Sequence, residues 1–287
     1  MNALVSVDRK TSALQPRSSR GMGGWRRVRL GKIFADALSQ SEAIDLICER
    51  ARGNQGGFVV TPNLDHICLA ERLPGIRAAY DEAFLSLADG MPLLWWTRWM
   101  GQALPEKVSG SDLVHPLCKQ AARLGLRVFI LGAPPGVARR AAERLTRQIP
   151  SLQVCGTLAP PLGFENVPET SARVFQQVQR AKPDLVFIAL GCPKQENWMR
   201  VHHRALAPAL LVGVGAAIEF VAGTQRRAPS WLSEAGLEWL HRLCHDPKRL
   251  WHRYLVRDAA SLLICLRSFQ IPAAERARFC RATPIAE

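Results

Sequence analysis

The chain has 287 residues, 48% of them hydrophobic, which is enough to bury a large core. Its net charge of +14 is uneven: residues 1–32 hold eight basic and one acidic side chain, and residues 225–287 hold eleven and six. The long segment between them is nearly neutral. This pattern argues against a protein dedicated to nucleic acid and favours contact of the basic ends with an anionic surface.

Cysteine spacing and hydropathy exclude further classes of protein. The eight cysteines include no C-x-x-C pair, so we expect free thiols in a reducing cytosol and no zinc site. No run of ~18 apolar residues is present, so we expect no membrane-spanning helix. The N-terminus lacks the apolar stretch of a secretory signal. Its Arg, Ser and Gly content predicts a basic, loosely ordered arm over residues 1–32.

From about residue 40 the sequence alternates amphipathic helices with short apolar strands. The predicted strands are 57–60, 84–88, 127–132, 152–158, 184–191 and 209–215. This alternation is typical of an α/β fold with a Rossmann-like, doubly wound and mostly parallel sheet. After Gly223 only helical patterns continue. We therefore predict an α/β domain over residues 33–224 and a basic helical appendage over residues 225–287.

Polar residues and glycines follow most of the predicted strands, at the edge where such sheets bind ligands. These candidates are Thr61, Asn63, Asp89, Gly132, Ala133, Gly191, Lys194, Gln195, Glu196 and Gly215. Glycines allow close backbone approach, and the helices that follow offer free N–H groups to a phosphate, so a nucleotide is the expected ligand.

Taken singly, several of these residues have a purely structural interpretation. Asp89 and Gly90 fit a turn, Asn63 fits a helix N-cap, and Gln195 with Glu196 fits the first turn of a helix. Their convergence on one sheet edge is what favours a binding site.

Two common nucleotide motifs are missing. LGAPPG (131–136) and GVGAAI (213–218) both fail the G-x-G-x-x-G pattern, and no G-x-x-x-x-G-K-[ST] occurs. A nicotinamide-dependent oxidoreductase is therefore kept only as an alternative. So is a nucleic-acid-binding protein, which the pI of about 10.1 suggests.

Longer stretches carry a resemblance to a known family. In order they are TPNLDH, LADGMPLLWWTRWMGQALPEKVSGSDL, VFILGAPPG, PDLVFIALGCPKQENWM, LLVGVGAAIEFVAGTQRRAPSWL and GLEWLHRLCHDPKRLWHRYL. Across roughly residues 55–257 the chain resembles the WecG/TagA/CpsF family of inverting glycosyltransferases (glycosyltransferase family twenty-six). The resemblance implies a Rossmann-like body, a nucleotide-diphosphate-sugar donor and a polyprenyl-diphosphate-linked acceptor. It also implies a place in bacterial cell-surface polymer assembly, such as wall teichoic acid, enterobacterial common antigen or exopolysaccharide.

The resemblance also implies roles for particular residues. Asp89 would be the catalytic base, with Thr61 and Asn63 beside it, and Gln195 and Glu219 would contact the nucleotide. Arginines of the appendage would lie over the active site, where they would meet the leaving-group or lipid diphosphate; the candidates are Arg242, Arg249 and Arg253. His66 is an alternative base.

The sequence departs from the family's pattern at two positions. Residue 219 is Glu where the family often has Asp, and residue 92 is Pro where many relatives have Gly. Met91 and Pro92 look more like the exopolysaccharide branch, some of whose members transfer glucose. The expected donor is therefore UDP-glucose or UDP-N-acetylmannosamine.

The remaining expectations concern metals, membrane and partners. No D-x-D motif is present, so we expect a metal-independent transfer with no cofactor, in which helix N-termini and arginines stabilise the leaving diphosphate. Aromatic and basic residues interleave over residues 225–270, which predicts peripheral attachment to the inner face of the plasma membrane. We expect no nucleic-acid partner, and homo-oligomerisation is left open.

Overall fold

The computed structural model describes residues 24–225 and, beyond them, residues 228, 229, 232, 237–245, 251 and 264. Its strands are β1 (Arg27–Leu30), β2 (Ile33–Asp36), β3 (Gly57–Val60), β4 (Leu85–Ser86), β5 (Arg127–Gly132), β6 (Gln153–Leu158), β7 (Leu185–Ala189) and β8 (Leu210–Gly213). Strands β3 to β8 form one parallel sheet in the spatial order β4-β3-β8-β7-β5-β6. The predicted doubly wound α/β fold is confirmed.

Helices connect the strands. They are α1 (Gln40–Arg52), α2 (Leu64–Arg72), α3 (Pro74–Glu82), α4 (Met91–Trp99), α5 (Gly110–Leu124), α6 (Val137–Gln148), α7 (Pro168–Ala181), α8 (Lys194–His202), α9 (Ala217–Ala222) and α10 (Glu238–His245). Helix α1 shows why such segments begin where they do. The Ser39 side chain accepts from the Glu42 backbone N–H, and the Glu42 carboxylate accepts from the Ser39 N–H, so both ends of a capping box are made.

The sheet is buried on both faces, which explains why its strands read as continuous apolar runs. Along β7, Leu185 and Phe187 pack into the core on one face, whereas Val186 and Ile188 pack into the core on the other. Successive side chains of a strand point to opposite faces, so a central strand needs an apolar residue at every position.

A β-hairpin precedes the sheet. Strands β1 and β2 pair antiparallel, with Val28 and Leu30 buried, although their residues begin within the segment 1–32 that composition assigned to a loosely ordered arm. The pattern there is short and interrupted by arginines, so it gave no strand signal. Asp36 joins the hairpin to the sheet, because its carboxylate pairs with Arg27 at 2.7 Å and accepts from the Ser86 backbone N–H at 2.8 Å.

In the part of the chain that the structure describes, no helix is both long enough and apolar enough to cross a bilayer.

Candidate active site

The short edge strand β4 delivers Asp89 to the carboxyl edge of the sheet. Parallel contact with β3 continues past β4, because the Leu87 N–H donates to Val60 O at 2.9 Å and the Asp89 N–H donates to Pro62 O at 2.7 Å. Gly90 then turns the chain into α4 with a φ of 120°, a conformation that glycine adopts without strain. Asp89 is partly buried at this turn, directly beside the segment that follows β3.

Thr61 and Asn63 are held by hydrogen bonds within the fold. The buried Thr61 hydroxyl donates to Gly213 O at 3.2 Å, which ties the end of β3 to the end of β8. The Asn63 side chain accepts from the His66 N–H and caps α2, as its structural interpretation predicted. The Asp89 N–H bonds to Pro62 O, so the backbone at Asp89 lies against the segment that carries Thr61 and Asn63.

Glycine turns at the next strand ends keep the edge compact. Gly132 has a φ of 108° and Ala133 a φ of 60°, and the Ala133 N–H donates to Ala189 O at 2.8 Å. Gly215 also has a positive φ, and its N–H donates to Ile188 O. These turns bring the backbone ends of β5, β7 and β8 side by side.

Two helices begin at this edge without a side-chain cap. Gly136 precedes α6 and Pro193 precedes α8, and neither helix start receives a hydrogen bond from a capping side chain. The first N–H groups of such helices have no intrahelical partner and carry partial positive charge, so they suit a phosphate. Lys194 lies at the start of α8 but pairs with Glu165 at 2.5 Å, and Gly191 is exposed.

Gln195 and Glu196, both predicted to bind the nucleotide sugar, have buried side chains. The Gln195 amide donates to Glu196 Oε1 at 2.7 Å, and it lies against Gly213, where an added Cβ would be 3.2 Å from Gln195 Nε2. Gln195 and Thr61 therefore contact the same residue of β8. Burial raises the pKa of Glu196, and hydrogen bonds from Gln195, from its own backbone and from Cys192 oppose that rise.

A buried polar cluster extends this site inward. The Tyr80 hydroxyl of α3 lies 2.6 Å from His66 Nδ1 of α2. Burial raises the pKa of Tyr80 well above its usual value, and the charges of Glu196, Cys192 and Asp89 raise it further. The hydroxyl is therefore within electrostatic reach of the proposed base.

Sequence reasoning missed Tyr80. Tyr80 lies in an ordinary amphipathic helix, and only the packing of α3 against α2 and α8 brings it to the site. His66, Cys192 and Glu196 each place one metal-binding atom within 4.8 Å of the others, a cluster that their separation along the chain concealed.

The arginine candidates lie largely beyond the described residues. Arg242 belongs to α10, but the structure does not describe its side chain. Arg249 and Arg253 lie outside the described residues. Glu219 is partly buried in the first turn of α9.

A cavity of about 350 Å³ lies at the opposite, amino-terminal edge of the sheet, near Gly57 and Phe84. Arg50 and His203 help to line it, but none of the predicted site residues does.

Comparison with known proteins finds transferases among the relatives of this chain. A relative from Bacillus spizizenii, named N-acetylglucosaminyldiphosphoundecaprenol N-acetyl-beta-D-mannosaminyltransferase, is 30% identical over 202 residues, which cover 70% of this chain and 76% of the relative. A relative of the same name from Staphylococcus aureus is 28% identical over 67% of this chain and 74% of its own. The model of the glycosyl transferase WecG/TagA/CpsF family matches residues 28–274, and the chain belongs to this family.

Proposed function

We propose that the protein is an inverting glycosyltransferase that moves a hexose from a UDP-sugar to a polyprenyl-diphosphate-linked sugar. The observation that carries the proposal is the position of Asp89. Its backbone N–H bonds to Pro62 O, between Thr61 and Asn63 in the chain, which supports a role for Asp89 on the edge where α6 and α8 begin uncapped.

The chemistry needs one base and one means of holding the leaving group. Asp89 removes the proton of the acceptor hydroxyl, whose oxygen attacks the anomeric carbon from one side of the sugar. The bond from that carbon to the diphosphate breaks on the other side, and UDP leaves with the negative charge. The N-termini of α6 and α8 face the edge where this charge develops, and arginines of the appendage add to them.

The names of the relatives support an N-acetylmannosaminyl donor and an acceptor of N-acetylglucosamine on diphosphoundecaprenol. Met91 and Pro92 instead favour a glucosyl donor. A screen of UDP-sugars against polyprenyl-diphosphate-monosaccharide acceptors, scored by mass shift of the lipid product, separates the two. No transfer from any UDP-sugar would refute the proposed function.

Membrane attachment is proposed for residues 225–287, at the inner face of the plasma membrane. The basic excess of this segment suits anionic lipid, with about 1 kcal/mol per Lys or Arg near the surface. Sedimentation of the full chain with anionic and with neutral vesicles tests it, and equal binding to both would contradict it.

Transfer is expected to persist in excess chelator. The sequence contains no D-x-D motif, and the edge offers the diphosphate backbone N–H groups instead. The measurement is the initial rate after treatment with EDTA, compared with the rate after Mg²⁺ is restored. A rate that vanishes in EDTA and returns with Mg²⁺ would contradict metal independence.

Gln195→Ala and Glu219→Ala are expected to weaken UDP binding more than they raise the KM for the acceptor. Both residues follow strands that end at this edge, and loss of one hydrogen bond to a ligand costs about 0.5–1.5 kcal/mol, or about 2–10-fold in Kd. Calorimetric titration with UDP measures the effect. Glu169→Ala, at the start of α7 and exposed, is the control. Unchanged UDP affinity in both variants would place the nucleotide elsewhere on the edge.

A further inference from the structure

Three side chains with metal-binding atoms meet where α2 approaches the start of α8. His66 belongs to α2, Cys192 to the turn after β7, and Glu196 to the first turn of α8. One donor atom of each lies within 4.8 Å of the others. His66 and Glu196 are buried and Cys192 is partly buried, so the cluster is not a solvated surface group.

A second observation points to a ligand at the same place. Glu196 is fully buried, and its Oε2 has no nitrogen or oxygen partner among the described residues, whereas Oε1 accepts from Gln195. The Cys192 thiol also hydrogen-bonds to this carboxylate, but a thiol is a weak donor, so the buried carboxylate stays incompletely satisfied. A cation between the three side chains would satisfy this oxygen.

The neighbouring residues also fix the orientation of the cluster. The Tyr80 hydroxyl holds His66 Nδ1 at 2.6 Å, which sets the rotation of the imidazole ring. Histidines that bind metals are usually oriented by such an outer hydrogen bond.

We propose that His66, Cys192 and Glu196 form a binding site for a thiophilic divalent cation such as Zn²⁺. Imidazole, thiolate and carboxylate are the donors that zinc uses, whereas Mg²⁺ prefers oxygen ligands alone. Three protein ligands leave the fourth tetrahedral position to water. Binding releases the thiol proton to solvent.

Occupancy of this site changes the geometry of the reaction site. Ligand bonds of about 2.0–2.3 Å place the donors of a tetrahedral zinc roughly 3.3–3.6 Å apart. The donors in the structure are as much as 4.8 Å apart, so binding draws α2 and the start of α8 together. Thr61 and Asn63 immediately precede α2, and a shift of about 1 Å at reacting groups can cost ~10²-fold in rate. The cation therefore inhibits transfer, a step that rests on the proposed function.

The binding site is tested with Co²⁺ added to the metal-free full chain. We expect one Co²⁺ per chain, a sulfur-to-cobalt charge-transfer band in the near ultraviolet, and displacement of Co²⁺ by Zn²⁺. The band is lost in Cys192→Ala. It stays in Cys155→Ala, which removes another partly buried thiol, and in Cys244→Ala, which removes an exposed one. No band in the wild type, or a full band in Cys192→Ala, would overturn the site.

A second variant covers the case in which Cys192→Ala does not fold. Glu196→Gln keeps the shape of the side chain but removes the charge, and its Kd for Co²⁺ is expected to rise at least ~10-fold. An unchanged Kd in a folded Glu196→Gln protein, checked by circular dichroism, would overturn the assignment of Glu196.

Inhibition is tested as the ratio of transfer rates with and without saturating Zn²⁺. We expect a ratio of about 0.1 or less for the wild type, from the cost of misplaced reacting groups, and near one for Cys192→Ala. Equal ratios would reject the inhibitory role. The Co²⁺ band needs no transfer activity, so its absence from the wild type rejects the metal site and leaves the proposed function untouched. Absence of transfer by the metal-free wild type rejects the proposed function alone.

Discussion

Asp89→Asn is expected to lower kcat by about 10²–10⁴-fold, because an amide cannot accept a proton at neutral pH and this is the contribution of a well-placed general base. UDP affinity is expected to stay within about twofold, since the amide keeps the size and shape of the carboxylate and the backbone bond to Pro62 O is unchanged. Initial rates with a polyprenyl-linked acceptor and calorimetric titration with UDP measure the two effects separately.

The matched control is Asp45→Asn, an exposed aspartate on α1. It removes the same charge away from the candidate site, so its rate should equal that of the wild type. His66→Gln tests the alternative base. If Asp89→Asn turns over normally and His66→Gln does not, His66 holds the role.

Gly132→Ala is expected to reduce the free energy of unfolding by about 2–5 kcal/mol, from two costs that add at one residue. Its φ of 108° is strained for any residue with a Cβ, and that Cβ would lie 2.5 Å from Ala189 O. The neighbour is backbone of the central strand β7, so it cannot rotate away. Each kcal/mol lowers the Tm by about 2–4 °C in a domain of this size, and thermal unfolding followed by circular dichroism measures the shift.

Gly136→Ala provides the matched glycine. Its φ of 81° is also positive, but no atom lies within 4 Å of an added Cβ, so only the conformational cost of about 1–2 kcal/mol applies. The difference between the two Tm values isolates the contact with β7. Equal Tm values would show that the backbone at Ala189 shifts far enough to remove the contact.

The local pattern of apolar and polar residues was sufficient to predict most of the fold. The run from Leu185 to Ala189 is apolar at every position, and a strand buried on both faces requires this. The helix over Gln40–Arg52 was readable because its capping box and its apolar spacing are encoded by near neighbours. The hairpin at Arg27–Asp36 was not, because Val28 and Leu30 become core residues only through packing against distant helices.

The candidate site likewise has features that the sequence predicts and features that only the packing of the helices decides. The sequence by itself determined that Thr61, Asp89 and Gly191 follow strands, and parallel strands present their carboxyl ends at a common edge. Only the tertiary structure decided which polar groups face inward. It buries Gln195 and Glu196, makes Asn63 a cap and brings Tyr80 to His66. Those outcomes depend on how α2, α3 and α8 pack together, and contacts between residues far apart in the chain leave no periodic trace in the sequence.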